Sequence, residues 1–322
     1  MIVLMTGGSG TLAKALVPLL VDDARVRRVR LLSRNEPAQL AMKEHLRKSS
    51  SLDKIDLFVG DVRDLDRICH ASDGADWVIH AAAMKQVPLA EYDPEECIKT
   101  NIHGTLNVIE ACHQNNVDKA IFTSSDKCVE PLNFYGATKM VAELLFVAGN
   151  RGNHRTRFSC VRYGNVYSSN MSVVTKWMQQ MRDKRPLTIT EENMTRFFMS
   201  PKNAAEFIFN GLNRMQGAET YIPKMKSTSM IELLTVFKGA NTNSPVSAIG
   251  RRPGEKQHEM LVSPNESELI TDVGWAYIRW PWAGVFPVPK IGRPVDMKEG
   301  FTSSGAERFS IEELELFCRE AE

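Results

Sequence analysis

The first half of the chain alternates short, continuous apolar runs with longer helical periods, and this rhythm leaves few folds open. The runs are Ile2 to Met5, Val29 to Leu32, Ile55 to Val59, Trp77 to Ile79, Ala120 to Phe122 and Phe158 to Val161. A strand covered by helices on both faces is apolar throughout, whereas a strand with one wet face alternates. Strand, helix, strand units connect through right-handed crossovers, so the sequence predicts an α/β fold with a doubly wound, Rossmann-like parallel sheet. The clearest helix begins after Asp93-Pro94, places Ile98, Ile102, Leu106, Ile109 and Cys112 on one predicted face, and stops at Asn115-Asn116. Pro18, inside the first helical period, is expected to kink that helix or cost it one backbone bond.

After about residue 166 the rhythm loosens into helices at Val173 to Met181, Ala204 to Met215 and Ile231 to Phe237, separated by Pro-containing loops. Residues 1–165 are expected to form a dinucleotide-binding domain. Residues 166–322 are expected to form a smaller lobe, interleaved with the first and laid over the carboxyl ends of the strands, where open α/β sheets bind ligands. Forty Lys plus Arg against 39 Asp plus Glu leave no whole-chain bias toward a polyanion, so a nucleic-acid surface is not expected. The six cysteines show neither C-x-x-C pairs nor zinc spacing, so no metal is expected and they read as reduced packing residues of a cytoplasmic protein. No apolar run approaches the roughly 18 residues of a membrane span, and no basic segment precedes the first strand.

Thr6-Gly7-Gly8-Ser9-Gly10-Thr11-Leu12-Ala13 joins the first strand to the first helix. Gly7 permits the tight turn, Gly10 lets the backbone approach a pyrophosphate at the helix N-terminus, and Ala13 stands where a third glycine would pack helix on strand. With its strand-before and helix-after context the segment predicts a dinucleotide site that includes Ser9, Thr11 and Leu12. The second strand ends in Ser33-Arg34-Asn35, where an NAD-preferring site carries an acid on the ribose 2′-hydroxyl. A guanidinium and two neutral polar groups suit a 2′-phosphate, which points to NADP; alternatively Arg34 belongs to a solvated arginine-rich stretch with Arg25, Arg27, Arg28 and Arg30. Asp61-Val62, closing the third strand, is placed to meet the adenine edge. Ala81, Ala82 and Ala83, after the fourth, are small enough to let the cofactor pass; His80 before them reads as packed.

Tyr135 and Lys139 stand at i and i+4 of a predicted helix, on one face. A phenol titrates at about 10, but an adjacent ammonium and a positive nicotinamide favour the phenolate, which can take a hydroxyl proton while hydride leaves the same carbon. Just before them, Ser124-Ser125-Asp126-Lys127 sets an acid and a base side by side at a strand end, a pattern suited to additional proton transfers or to a solvated salt-bridging turn.

Several ordered stretches resemble the inverting UDP-N-acetylglucosamine 4,6-dehydratases of the extended short-chain dehydrogenase/reductase family, which start pseudaminic acid synthesis. They are Gly60 to Asp64, His80 to Pro88, Glu96 to Gly104, Ser125-Asp126-Lys127, Tyr135 to Lys139, Arg162 to Val166, Met194 to Phe197, Arg252 to Lys256, Phe301 to Ser304 and Ile311 to Leu314. The resemblance implies that Tyr135 takes the C4 hydroxyl proton as hydride passes to NADP, with Ser125 holding the substrate oxygen. Lys127 then removes the C5 proton, Asp126 protonates the departing C6 hydroxyl, hydride returns to C6, and C5 is reprotonated on the opposite face. Retaining 4,6-dehydratases carry Asp-Glu where this chain has Asp126-Lys127, and simple 4-epimerases lack the pair. Lys85 would face the sugar, while Asn165, Arg196, Arg252 and Glu255 would hold the UDP.

The chain departs from the family pattern at Tyr167-Ser168-Ser169-Asn170-Met171-Ser172, where a Gly-Ser-Arg-Gly-Ser-like run is usual. This puts the diphosphate contacts in question. Members assemble as homo-oligomers, which implies a dimer or hexamer here. The alternatives carried forward are a UDP-sugar 4-epimerase and, from another class, a non-catalytic NADP-sensing regulator.

Overall fold

The computed structural model describes residues 1–47, 52–241, 243–282 and 291–320. Six strands, β1 (Ile2–Thr6), β2 (Arg28–Ser33), β3 (Ile55–Val59), β4 (Trp77–His80), β5 (Lys119–Ser125) and β6 (Arg157–Tyr163), contain the six apolar runs. They lie parallel in the order β3-β2-β1-β4-β5-β6, so the order reverses at β1, which pairs with both β2 and β4. Such a reversal opens a crevice at the carboxyl ends of the strands. The helices on the two faces are α1 (Thr11–Asp22), α2 (Glu36–Leu46), α3 (Leu65–Ser72), α4 (Val87–Tyr92), α5 (Pro94–Ile98), α6 (Gly104–Gln114) and α7 (Phe134–Ala148). Every residue of β1 and β4 is buried, as the unbroken apolar runs require.

Thr220–Ile222 adds a seventh parallel strand beside β6, and Tyr277–Arg279, Ile270–Asp272 and Arg293–Pro294 extend the sheet antiparallel. The helix Pro201–Arg214 packs on α1. The chain therefore returns to the first sheet after leaving it. Above the strand ends, Asn165–Val166, Thr195–Met199 and Ser227–Ser229 form a three-stranded sheet. A separate core, with Tyr167, Trp177 and Phe237 at its centre, supports that region.

Pro18 sits inside α1, which continues through it without the backbone hydrogen bond that a proline cannot donate. One local expectation needs correction. The segment after Pro94 is a single rod whose middle turn, Lys99–His103, is π-helical. Its buried face carries Cys97, Asn101, Thr105, Val108 and Cys112, whereas Ile98 and Ile102 are half-buried and Leu106 is exposed. Polar residues occupy the inner face because tertiary partners satisfy them. Asn101 exchanges two hydrogen bonds with the Met84 backbone, and Thr105 meets His80. Asn116, at φ 52°, ends the rod in the left-handed region.

Candidate active site

A cavity of about 1000 Å³ runs along the strand ends. At its cofactor end, Gly7 has φ +70°, and a Cβ there would lie 2.9 Å from Ala82 N, so only glycine allows the turn to press against the loop after β4. Gly10 opens α1 without a side-chain cap, and Gly7, Ser9, Gly10, Thr11 and Leu12 line the cavity. Uncapped N–H groups at a helix start are an anion cradle. Thr6 Oγ1 accepts from Ala81 N and Ala82 N at 3.2 Å and lies 2.8 Å from His80 Nδ1. Burial, with Lys139 nearby, pushes the His80 imidazole down to about 3, so it stays neutral between the hydroxyls of Thr6 and Thr105, and Thr6 in turn holds the Ala81 and Ala82 backbone.

Ser33, Arg34 and Asn35 line the cavity beside β2. Ser33 Oγ is buried without a partner among the described residues, and the exposed Arg34 reaches Asp61 Oδ2 at 3.5 Å. An orphaned hydroxyl and an accessible guanidinium fit a 2′-phosphate. Asn35 is partly committed, because its side-chain oxygen caps α2 by accepting from Ala38 N at 2.9 Å. Asp61 takes Arg63 Nε at 2.9 Å and Arg63 Nη2 at 2.6 Å, and Val62 O accepts from Asn107 Nδ2 at 3.0 Å. That pair has fewer free groups for an adenine than its motif suggests. Burial opposes the charge on Asp61, but the hydrogen bonds from Arg63 and the charges of Arg34 and Arg63 outweigh it and lower its titration.

Tyr135 and Lys139 both line the cavity from α7, whose start is capped by Asn133 Oδ1 accepting from Gly136 N at 2.8 Å. Gly136 makes the close approach possible, since a Cβ there would collide with the Lys127 carbonyl oxygen. The electrostatics differ from expectation. Lys139 Nζ donates to Thr123 O at 2.5 Å and lies 3.9 Å from the Phe122 ring centre. Burial pushes its ammonium down to about 8. Burial also raises the Tyr135 phenol above its usual value, against the pull of Lys127 and Ser125. The protein groups alone therefore favour the protonated phenol at Tyr135.

Ser125 Oγ donates to Asp126 Oδ1 at 2.8 Å, and Lys127 Nζ donates to the same oxygen at 3.0 Å and to Asn165 Oδ1 at 3.1 Å. Ser125, Lys127 and Asn165 line the cavity, but Asp126 is fully buried behind them. An acid acting directly on a ligand would have to face the cavity, and Asp126 reaches it only through its hydrogen bonds from Ser125 and Lys127 among the described residues. Burial raises Asp126, which retains its proton more readily than an ordinary carboxyl. Lys127 is raised as well: burial disfavours its charge, but Asp126 and Glu259 more than compensate.

Glu259 was not legible as a site residue, because a lone Glu after the Arg252 to Lys256 motif has no signature. Its carboxylate lines the cavity, with Oε1 3.6 Å from Lys127 Nζ and 3.8 Å from Arg196 Nε. Arg196 lines the cavity but has little left to offer a ligand. Its Nη1 donates to Thr195 O and Gln257 O, and its Nη2 to Lys256 O at 2.9 Å and Glu255 Oε1 at 3.4 Å. Glu255 Oε2 accepts from Arg252 N at 3.4 Å, tying the loop together, while the exposed Arg252 stands at the rim. Lys85 projects into the cavity, where loss of bulk water and then the Lys127 charge lower its titration. In the divergent segment, Ser168 and Met171 hold φ of 52° and 61°, and Asn170 N donates to Thr11 Oγ1 at 3.1 Å, joining this loop to the dinucleotide turn.

The sheet order, the glycine turn at the switch point and the Tyr135–Lys139 helix place the chain in the extended short-chain dehydrogenase/reductase class. Residues 3–279 match the family described as polysaccharide biosynthesis protein, and the chain belongs to that family. Among named relatives, it is 42% identical over 270 residues to an inverting UDP-N-acetylglucosamine 4,6-dehydratase of Campylobacter jejuni, a match covering 83% of this chain and 79% of the relative. It is 34% identical to a UDP-glucose 4-epimerase of Rickettsia bellii, covering 97% of this chain and 93% of that one. The X-ray structure of Pen from Bacillus thuringiensis superposes with a TM-score of 0.90 at 33% identity, over 100% of this chain and 98% of the other.

Proposed function

We propose that the protein is an NADP-dependent dehydratase that converts UDP-N-acetylglucosamine, or a close UDP-N-acetylhexosamine, to a 4-keto-6-deoxy sugar with inversion at C5. The observation that carries this reading is Lys127 at the cavity wall, 3.0 Å from the buried Asp126, in a chain 42% identical to a relative named for that reaction. Residues 1–165 would serve the dinucleotide and residues 166–322 the UDP-sugar. The product would enter pseudaminic acid synthesis in the cytoplasm. Exposed Leu106 on α6 and Met140 and Leu144 on the adjoining α7 offer an apolar face suited to a homo-oligomer.

NADP, when bound, would supply the reversible hydride acceptor for the reaction. Ser33 and Arg34 would hold its 2′-phosphate and the α1 N-terminus its pyrophosphate. Tyr135 would take the C4 hydroxyl proton, with Ser125 Oγ fixing the oxygen. Lys127, an ammonium at rest, must become neutral to remove the C5 proton. Moving one proton across the 3.0 Å contact to Asp126 Oδ1 converts the ion pair into a neutral amine and a carboxylic acid. The acid can then reach the departing C6 hydroxyl through Ser125, 2.8 Å from Oδ1. Lys85, Asn165, Arg252, Glu255 and Arg196 would line the sugar and UDP, with Arg196 positioning the 255–259 loop.

The test is an NMR time course with UDP-N-acetylglucosamine in heavy water, comparing wild type with Lys127→Ala. The wild type should form a C5-deuterated, C5-inverted 4-keto-6-deoxy product. Lys127→Ala should still oxidise C4 but not eliminate water, and unimpaired dehydration by this variant would remove Lys127 from the mechanism. The Rickettsia relative favours a second reading, a UDP-sugar 4-epimerase, and a product that keeps its C6 oxygen would establish it. Absence of turnover with any UDP-sugar would leave the regulator reading.

A further inference from the structure

We propose that Glu259 is a positioning residue whose carboxylate keeps the shared proton on the Asp126–Lys127 pair. This inference rests on the dehydratase reading above. The carboxylate is buried at the cavity wall, 3.6 Å from Lys127 Nζ and 3.8 Å from Arg196 Nε. Its other oxygen, Oε2, is buried with no hydrogen-bond partner among the described residues. The backbone is pinned on both sides by Ser303: Glu259 N donates to Ser303 Oγ at 2.9 Å, and Ser303 N donates to Glu259 O at 2.8 Å. A half-satisfied carboxylate in so rigid a setting is costly unless it acts on a neighbour.

The charged groups facing it come from three segments. Asp126 and Lys127 belong to the turn after β5, Arg196 to the strand Thr195–Met199, and Lys256 to the loop before Glu259. Arg196 is shared with Glu255, and His258 points instead to Thr195 Oγ1 at 2.8 Å. Burial opposes ionisation of Glu259, but Lys127, then Arg196 and Lys256, lower its titration, so the group stands as a carboxylate. The working pair needs one proton in total, on Lys127 at rest and on Asp126 during elimination. Above the pH at which Lys127 loses that proton, no acid remains for the C6 oxygen. A carboxylate beside Lys127 Nζ moves that loss to higher pH.

The experiment compares kcat against pH for wild type, Glu259→Gln and Glu259→Asp. Removing the charge should move the alkaline limb of Glu259→Gln down by about one pH unit, the effect of a charge pair at this separation even with the screening of water. KM should change by less than about threefold, because Arg196 keeps its carbonyl partners and Glu255. Glu259→Asp should return the limb toward the wild-type position. An unmoved alkaline limb, or an equal loss of rate at every pH, overturns the proposal. Competitive labelling of Lys127 by an amine-selective reagent, read by mass spectrometry across pH, measures the same coupling without turnover. Labelling of Glu259→Gln should begin at lower pH than wild type, and identical labelling curves overturn the inference. If wild type leaves the C6 oxygen in place, the dehydratase reading fails while this labelling still decides the role of Glu259.

Discussion

Replacing Arg162 by Met should destabilise the protein strongly at neutral pH and much less in acid. Arg162 is buried at the end of β6, with Nη2 2.6 Å from Glu143 Oε1, Nε 3.2 Å from Glu143 Oε2, and Nη1 2.8 Å from Glu266 Oε2. Glu266 would keep Arg279 Nε at 3.1 Å, whereas Glu143, among the described residues, would keep neutral donors, the Cys128 thiol at 3.3 Å and the Ser124 hydroxyl, with the Arg279 charge farther off. Breaking a buried pair and stranding one carboxylate costs about 3–5 kcal/mol. For 322 residues the unfolding entropy is about 0.7 kcal/mol per kelvin, so Tm should fall by about 4–7 °C.

The pH dependence follows from Glu143. Burial opposes its charge, but Arg162 overrides that and pushes it down to about 2, below the unfolded value. Its contribution to stability is therefore present above about pH 4.3 and lost as pH falls toward 2. In Arg162→Met the stranded carboxyl instead takes up a proton readily, so the gap to wild type should narrow from about pH 7 to about pH 4.5. Thermal unfolding followed by circular dichroism at both pH values measures it. A gap below about 1 °C at neutral pH, or one that is the same at both pH values, refutes the reasoning.

Two further outcomes are expected. Arg34→Ala should raise KM for NADP about tenfold and leave KM for NAD nearly unchanged, since one accessible charge-assisted contact is lost; steady-state kinetics with both cofactors decides this, and equal effects would return Arg34 to the solvated surface. Gly136→Ala should lower kcat by about 100-fold or more, because the new methyl drives α7 from the Lys127 carbonyl and displaces Tyr135 from the proton-transfer pair; a variant with wild-type kcat would show that this approach does not position the site.

Much of the frame was legible in the residues themselves. The apolar runs of β1 and β4 marked strands buried along their whole length, although β3, at the sheet edge, is only half-buried, and the glycine turn marked where the first helix begins. These are local properties: burial on both faces excludes polar residues, and a backbone at φ +70° against Ala82 excludes a side chain at Gly7. The helix after Pro94 showed the limit of such patterns. Asn101 and Thr105 face inward because Met84 and His80 satisfy them, and no periodicity records a hydrogen bond to a residue twenty positions or so away.

The charge distribution at the site depends on contacts that sequence spacing does not encode. Sequence set Asp126 and Lys127 side by side and Tyr135 one turn before Lys139, which defined the chemistry to look for. Only the tertiary structure placed Asp126 behind Ser125, turned Lys139 toward the Thr123 carbonyl, occupied the Arg196 guanidinium with carbonyls, and brought Glu259 within 3.6 Å of Lys127 across 132 positions of chain. Protonation states depend on burial and on charges within a few ångströms, and those distances are set where separate segments pack. Residue types thus determined which groups could transfer protons, and packing decided which of them hold one.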